Sequence, residues 1–239
     1  MISIKDKVLL VGSGSSLKES NLGKIIDNFD GLICRFNGFK VKGYEKDIGS
    51  RTDIWCMNSR LYYDVCFEEE FSISDDNIIT YDDLESYEGE ILVGGVRHLW
   101  GKYIESMNEA LSFLSNSKTM HKDILIDSYK QIGCLDYCDV SERNQSIIPT
   151  TGFESIMHFL KSNYEVYIIG FDYSNQSLNG LNNNHYYGSH KMNFEIGNCY
   201  KTVNPIYISG TNHGLEHDLE IEKEIINRLE LLNIITRLD

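Results

Sequence analysis

Proline is nearly missing from this chain: two occur in 239 residues, so no proline-rich linker divides it. Basic residues are outnumbered as well. Twenty-two Lys and Arg face 36 Asp and Glu, a formal net charge of −14. So acidic a surface argues against a general nucleic-acid binder, which needs a basic face. An anionic ligand would need a local positive pocket against an unfavourable overall field. No apolar run is long enough to cross a membrane, and Lys5, Asp6 and Lys7 interrupt any early one, so no membrane span or signal peptide is expected. The six cysteines (Cys34, Cys56, Cys66, Cys134, Cys138, Cys199) are scattered. No second pair joins Cys134 and Cys138 to complete a zinc module, so mostly reduced, buried thiols of a cytoplasmic protein are expected. Residues 1–239 read as a single domain without repeats or low-complexity tails.

What is present begins at Val8–Leu17, an apolar run that breaks into Gly12-Ser13-Gly14-Ser15-Ser16. It predicts a buried strand, a tight turn with open amides, and a helix capped by Ser15 or Ser16. Such a turn holds an anion in one reading and merely joins strand to helix in the other. A helix is predicted over 17–28 with Leu22, Ile25 and Ile26 inward, then strands at 31–35 and 53–57. Phe36-Asn37-Gly38 falls at a strand's carboxyl end, the edge where open α/β sheets bind ligands. The acidic stretch 67–90 reads as solvated surface. A strand at 91–93 and helices at 103–114 and 122–132 follow. Further on come a helix from Phe153 to about Ser162, a buried strand at 166–172, a long polar loop over 173–198, a short strand at 205–208 and a last helix over 215–232. The fold class is α/β, a Rossmann-type sheet flanked by helices.

Three clusters carry candidate chemistry. Thr150-Thr151-Gly152 opens a helix whose first amides could bind a phosphate or carboxylate, or simply be N-capped by threonine. His185-Tyr186-Tyr187 sits in the polar loop, placed either to donate hydrogen bonds to an anionic leaving group or to face solvent. His213-Gly214-Leu215-Glu216-His217 formally matches an inverted zinc-protease pattern. Gly214 weakens the helix that pattern needs, so the better feature is His217 near a helix start, with Glu222 beyond it. A histidine there serves as a general base or as a cap.

In their order these pieces resemble the eukaryotic-type sialyltransferases, glycosyltransferase family 29. The large motif is similar to Val11-Gly12-Ser13-Gly14 through Phe29-Asp30 and Arg35-Phe36-Asn37 to Tyr44–Thr52. The small motif is similar to Pro149-Thr150-Thr151-Gly152 through Ile168-Ile169-Gly170-Phe171. His185-Tyr186-Tyr187 matches the third motif, and His217 with Glu222 the very small one. The resemblance implies a GT-A-like fold of the sialyltransferase variant, and an inverting transfer of sialic acid from CMP-sialic acid to a glycan hydroxyl without metal or other cofactor. It makes His217 the base and His185 a hydrogen-bond donor to the CMP phosphate. Gly12, Ser13, Gly14, Asn37, Thr150, Thr151, Gly152, Tyr186 and Tyr187 become the donor and nucleotide contacts. The lack of any Asp-x-Asp, which many nucleotide-sugar transferases use to hold a metal, fits that implication.

Ser13 stands where the family usually has Asn. No Cys precedes Val8 to form the disulfide that commonly joins the large and small motifs. The missing anchor and stem fit a cytoplasmic, microbial or viral version. A bacterial family, glycosyltransferase family 42, is similar in Gly12–Glu19, Thr151-Gly152 and His185-Tyr186 to His190, and would make His190 the base. Other readings are transfer of another CMP-activated ulosonic acid such as Kdo, a dinucleotide-dependent oxidoreductase built on Gly12-Ser13-Gly14, and a non-catalytic nucleotide-binding homologue. The oxidoreductase reading lacks the third glycine, at Leu17, and an acidic end to the second strand, at Arg35.

Overall fold

The computed structural model describes residues 5–68, 70–74, 77–94, 109–120, 146–147, 150–172, 182–185, 188–190, 215–216 and 219–238. Seven short strands form one parallel sheet: β1 (Lys7–Val11), β2 (Leu32–Phe36), β3 (Ile54–Asn58), β6 (Glu90–Gly94), β7 (Ser117–Thr119), β9 (Glu165–Ile169) and β13 (Ile235–Arg237). Their order is β13-β9-β1-β2-β3-β6-β7. From β1 the chain steps outward to β7, then returns to place β9 on the other side of β1. The strand order therefore reverses between β1 and β9, and in open α/β sheets ligands bind at that reversal, outside the carboxyl ends.

Register sorts the apolar residues onto two faces. Leu9, Ile33, Trp55 and Ile91 point one way, with Val11, Met57 and Val93. They are covered by α1 (Gly23–Asp27), α2 (Glu45–Ile48), α3 (Ser59–Glu68) and α4 (Tyr81–Glu85). Val8, Leu10, Cys34, Ile54, Cys56 and Leu92 point the other way, against α5 (Thr151–Lys161) and α6 (Leu219–Leu231). Continuous apolar strands are what a parallel sheet covered on both faces requires.

Between the two clusters of the first face lies Arg35, 1% exposed. A buried guanidinium is tolerated only when its donors are used. Arg35 donates to the carbonyls of Ile48 (2.6 Å) and Arg51 (3.2 Å) and to the Thr52 hydroxyl (3.0 Å), and lies 5.8 Å from the Phe39 ring centroid. The loop after α2 is thereby tied to the sheet. Asp27 ties its other side, accepting from the Ser50 and Arg51 amides at 2.7 and 2.8 Å.

Several sequence expectations change here. The helix expected over 17–28 is a 3-10 turn, Ser15–Leu17, followed by the short α1. Glu19 and Asn21 adopt positive φ and give their amides to the Asp47 carboxylate, each at 3.0 Å, which breaks the helix between. Ile26 is buried as expected, but Ile25 is 58% exposed. The acidic stretch is not plain surface. It holds an antiparallel hairpin, β4 (Glu70–Ser74) and β5 (Asn77–Thr80), and Asp83 forms a capping box with Thr80 at the start of α4. The 173–198 loop contains a second hairpin, β10 (Asn182–His185) and β11 (Gly188–His190). The last helix starts later than expected, because Leu215–Glu216 is strand β12, paired in parallel with β8 (Ser146–Ile147). Leu232, just past the end of α6, is 61% exposed. The expected helix at 122–132 and strand at 205–208 lie outside the described residues. Residues 109–113 are helical, and the rest of the expected 103–114 helix is outside or past it.

Gly12 marks a close approach of backbones. A Cβ there would lie 2.2 Å from the Gly170 carbonyl oxygen. Gly12→Ala is expected to cost about 1–3 kcal/mol, as overpacking of a rigid site does, read as a lower urea midpoint. A second expectation concerns acid. Burial alone would raise the Asp27 carboxyl, but hydrogen bonds from Arg51 and Ser50 outweigh it and hold it below its ordinary value. Stability from Asp27 is then complete above the unfolded-state pKa, about 4, and is lost as pH falls through the lower folded value. Asp27→Asn should show a flatter acid limb in a stability–pH curve.

Candidate functional site

Because the sheet is parallel, the residues that follow β1, β2 and β9 share its carboxyl edge, and α5 and α6, which lead into β9 and β13, begin there. Gly12 and Gly14 do not leave their amides open, as the sequence suggested. Gly12 N–H donates to Ile169 O (2.8 Å) and Gly14 N–H to Gly170 O (2.9 Å), which extends the β1–β9 pairing past the strand ends. Ser15 and Ser16 do not cap a helix. Their hydroxyls, at 3.2 and 2.5 Å, and the Ser16 amide, at 2.8 Å, donate to Asp172, three residues past the end of β9. A side chain at Gly14 would strike that carboxyl at 2.5 Å. Glycine is used at both positions for close packing, which removes the open glycine amides a dinucleotide pyrophosphate needs. Of the three residues Gly12, Ser13 and Gly14, Ser13 alone keeps an amide without a partner among the described residues.

The start of α5 has a defined cap and two amides without a partner among the described residues. Thr150 is its N-cap, the Oγ1 accepting from Phe153 N–H at 3.2 Å. The Thr150 amide and hydroxyl are already taken, donating at 2.6 and 2.7 Å to the two carboxylate oxygens of Glu222. Glu222 is fully buried on the first turns of α6, so the clamp joins two helix starts. Parallel pairing of β8 with β12, just upstream of α5 and α6, brings the same two segments together. The amides of Thr151 and Gly152 have no partner among the described residues and lie at the positive end of the helix dipole. The Phe171 ring occupies the space beside Gly152, 2.9 Å from where a Cβ would stand. Glu154, 7% exposed on the same first turn, lays its carboxyl over Gly94, the last residue of β6, a placement no sequence motif signalled.

Asn37 reaches this edge from β2. Its φ is +46°, a left-handed conformation that asparagine tolerates. Its backbone is pinned to β3, with Asn37 N–H donating to Cys56 O at 2.8 Å and Trp55 Nε1 donating to Asn37 O at 2.6 Å. Its Nδ2 points to Thr151 Oγ1 at 3.4 Å. Asn37, Thr151 and Gly152 are therefore brought together, while Thr150 holds them in place.

His185 ends β10, which packs against the Ser15–Leu17 turn, so its backbone lies at the same edge. Within the hairpin His185 pairs with Gly188 and Asn182 with His190. Tyr186, Tyr187 and His217 lie outside the described residues, though the residues flanking His217, Glu216 in β12 and Leu219 in α6, belong to segments attached to α5. Cys34 and Cys56 are buried free thiols with sulfurs 3.1 Å apart, and burial, then the hydrogen bond with Cys56, pushes the Cys34 thiol up. Among the described residues no three His, Cys, Asp or Glu are grouped to hold a metal, and no helix is long and apolar enough to cross a membrane.

Comparison with known proteins gives this arrangement a context. The family described as glycosyltransferase family 29 (sialyltransferase) matches residues 6–233. A mouse (Mus musculus) type 2 lactosamine alpha-2,3-sialyltransferase is 30% identical over 203 residues, 82% of this chain and 59% of the relative. The mouse beta-galactoside alpha-2,6-sialyltransferase 1 is 44% identical over 55 residues, 23% of this chain and 13% of the relative. This chain thus spans about three fifths, or less, of the relatives' length. A crystal structure of a mammalian sialyltransferase in complex with Gal-beta-1-3GalNAc-ortho-nitrophenol is similar with a TM-score of 0.56 at 16% identity, covering 98% of this chain and 69% of that one. At that identity the likeness shows the fold.

The clamp makes a direct prediction. Glu222→Ala leaves the Thr150 amide and hydroxyl without their charged acceptor and is expected to lower stability by about 3 kcal/mol, read by urea unfolding. Glu222→Gln, which keeps one acceptor oxygen, should lose less.

Proposed function

The chain belongs to glycosyltransferase family 29, the sialyltransferases, and from that footing we propose that it moves sialic acid from CMP-sialic acid to a hydroxyl of a glycan acceptor, with inversion and without a metal. The observation that carries the proposal is the start of α5, where two amides have no partner among the described residues. Two adjacent amides, Thr151 and Gly152, and the Asn37 amide converge at the carboxyl edge, beside the reversal of strand order. Backbone amides at a helix start supply positive potential without a cation, which suits a nucleotide monophosphate in a protein of net charge −14.

The chemistry assigned to this site is a single displacement. The acceptor oxygen attacks the anomeric carbon of the sialic acid as the bond from that carbon to the CMP phosphate oxygen breaks. His217 takes the acceptor proton as general base, and CMP leaves with the bonding pair. His185 donates a hydrogen bond to the departing phosphate, with Ser13, Tyr186 and Tyr187 completing the donor contacts. The β12–β8 pairing and the Glu222–Thr150 clamp support this assignment of His217, because both tie its neighbours to the helix start that would hold CMP. The packing of β10 on the Ser15–Leu17 turn supports that of His185.

The test is a transfer assay with CMP-sialic acid and galactosides, alongside CMP calorimetry. His217→Ala is expected to abolish transfer and leave CMP affinity within about twofold, and chelator should leave the wild-type rate unchanged. Near-normal transfer by His217→Ala would remove the base from His217 and turn the search to His190. A better rate with CMP-Kdo would change the donor while keeping the reaction.

A further inference from the structure

The orientation of the Asn37 amide is set from a distance. Asn58, the last residue of β3, precedes α3, and its Oδ1 accepts from Leu61 N–H at 2.8 Å, capping that helix. A backbone N–H only donates, so the atom it meets is the Asn58 oxygen, and the Asn58 Nδ2 must face the other way. There it meets Asn37 Oδ1 at 3.3 Å. The Asn58 backbone N–H reaches the same oxygen at 2.9 Å, so a second obligatory donor fixes the Asn37 amide. With Oδ1 committed to Asn58, the Nδ2 is the end of Asn37 that faces Thr151, at the start of α5. The two amides form a relay from the cap of α3 to the candidate nucleotide site.

We propose that Asn58 is a positioning residue for nucleotide binding. Through this relay it makes Asn37 present an N–H, never a carbonyl, to the ligand, so that the site takes an acceptor oxygen or nitrogen of the nucleotide at that point. The inference rests on the nucleotide reading above. Asn37 Nδ2, which donates to Thr151 Oγ1 at 3.4 Å and has a second N–H, would then join the Thr151 and Gly152 amides as donors, as a phosphate or ribose oxygen requires.

The test is CMP calorimetry with parallel urea unfolding on the wild type and four variants. Asn58→Asp keeps the helix cap, since aspartate caps as well as asparagine, but turns an oxygen toward Asn37 Oδ1. It should fold with near-normal stability and bind CMP about tenfold more weakly, the scale of one hydrogen bond to a charged group. In an Asn37→Ala background the same Asn58→Asp change should shift CMP affinity by less than about twofold. Asn37→Asp keeps an acceptor toward Asn58 and replaces the ligand-facing N–H with an oxygen, so it too should lose about tenfold, which tests the polarity if Asn58→Asp proves unstable. Wild-type affinity in Asn37→Asp, wild-type affinity in a folded Asn58→Asp, or an equal loss with and without Asn37 would overturn the inference while leaving the nucleotide reading intact. Failure of the wild type to bind CMP would overturn that reading, and this inference with it.

Discussion

A buried carboxylate, Glu222, sets the geometry of the site. Its two oxygens accept from the amide and hydroxyl of Thr150, which joins the first turn of α6 to the cap of α5. A carboxylate taken out of water needs strong hydrogen bonds in return, and here it accepts from the amide of Thr150, the N-cap of α5. The next two amides, of Thr151 and Gly152, have no partner among the described residues. Without the clamp, the cap of α5 would lose its hydrogen bonds to the second helix and keep only the β8–β12 pairing and apolar packing.

Around that clamp the carboxyl edge is assembled from hydrogen bonds that cross long sequence distances. Asp172 draws in Ser15 and Ser16 from the turn after β1. Arg35, buried between two apolar clusters, holds the loop of residues 48–52 by its carbonyls. Asn37 is fixed on three sides by β3. Each of these devices spends polar side chains on position rather than on contact with a ligand, and the groups that remain open are mostly backbone and amide N–H. A protein with so much negative charge can present a locally positive surface in this way without an excess of lysine or arginine at the site.

How much of this was legible in the sequence follows from what each signal measures. The apolar runs at Val8–Val11, Leu32–Phe36 and Val166–Ile169 became strands because a parallel sheet covered on both faces needs them. The glycines of the first turn were read as freeing amides, whereas they admit a neighbouring backbone; composition cannot distinguish the two uses of a missing Cβ. The break in the helix after Leu17 depended on Asp47, 28 residues from Glu19, a partner no local pattern reveals. Thr150 looked like either a cap or a ligand contact and proved to be the cap, because Glu222, 72 residues away, claims its remaining groups. Asn58 and Glu154 carried no motif at all. Their roles come from which strand ends lie side by side, and that is decided by topology.

The account turns on CMP sitting at the start of α5. The most direct measurement is a crystal structure of the chain grown with CMP. The account predicts nucleotide oxygens within hydrogen-bonding distance of the Thr151 and Gly152 amides and of Asn37 Nδ2, with the Glu222–Thr150 clamp unbroken. CMP bound at another edge of the sheet, or at this edge with those three donors facing solvent, would contradict it.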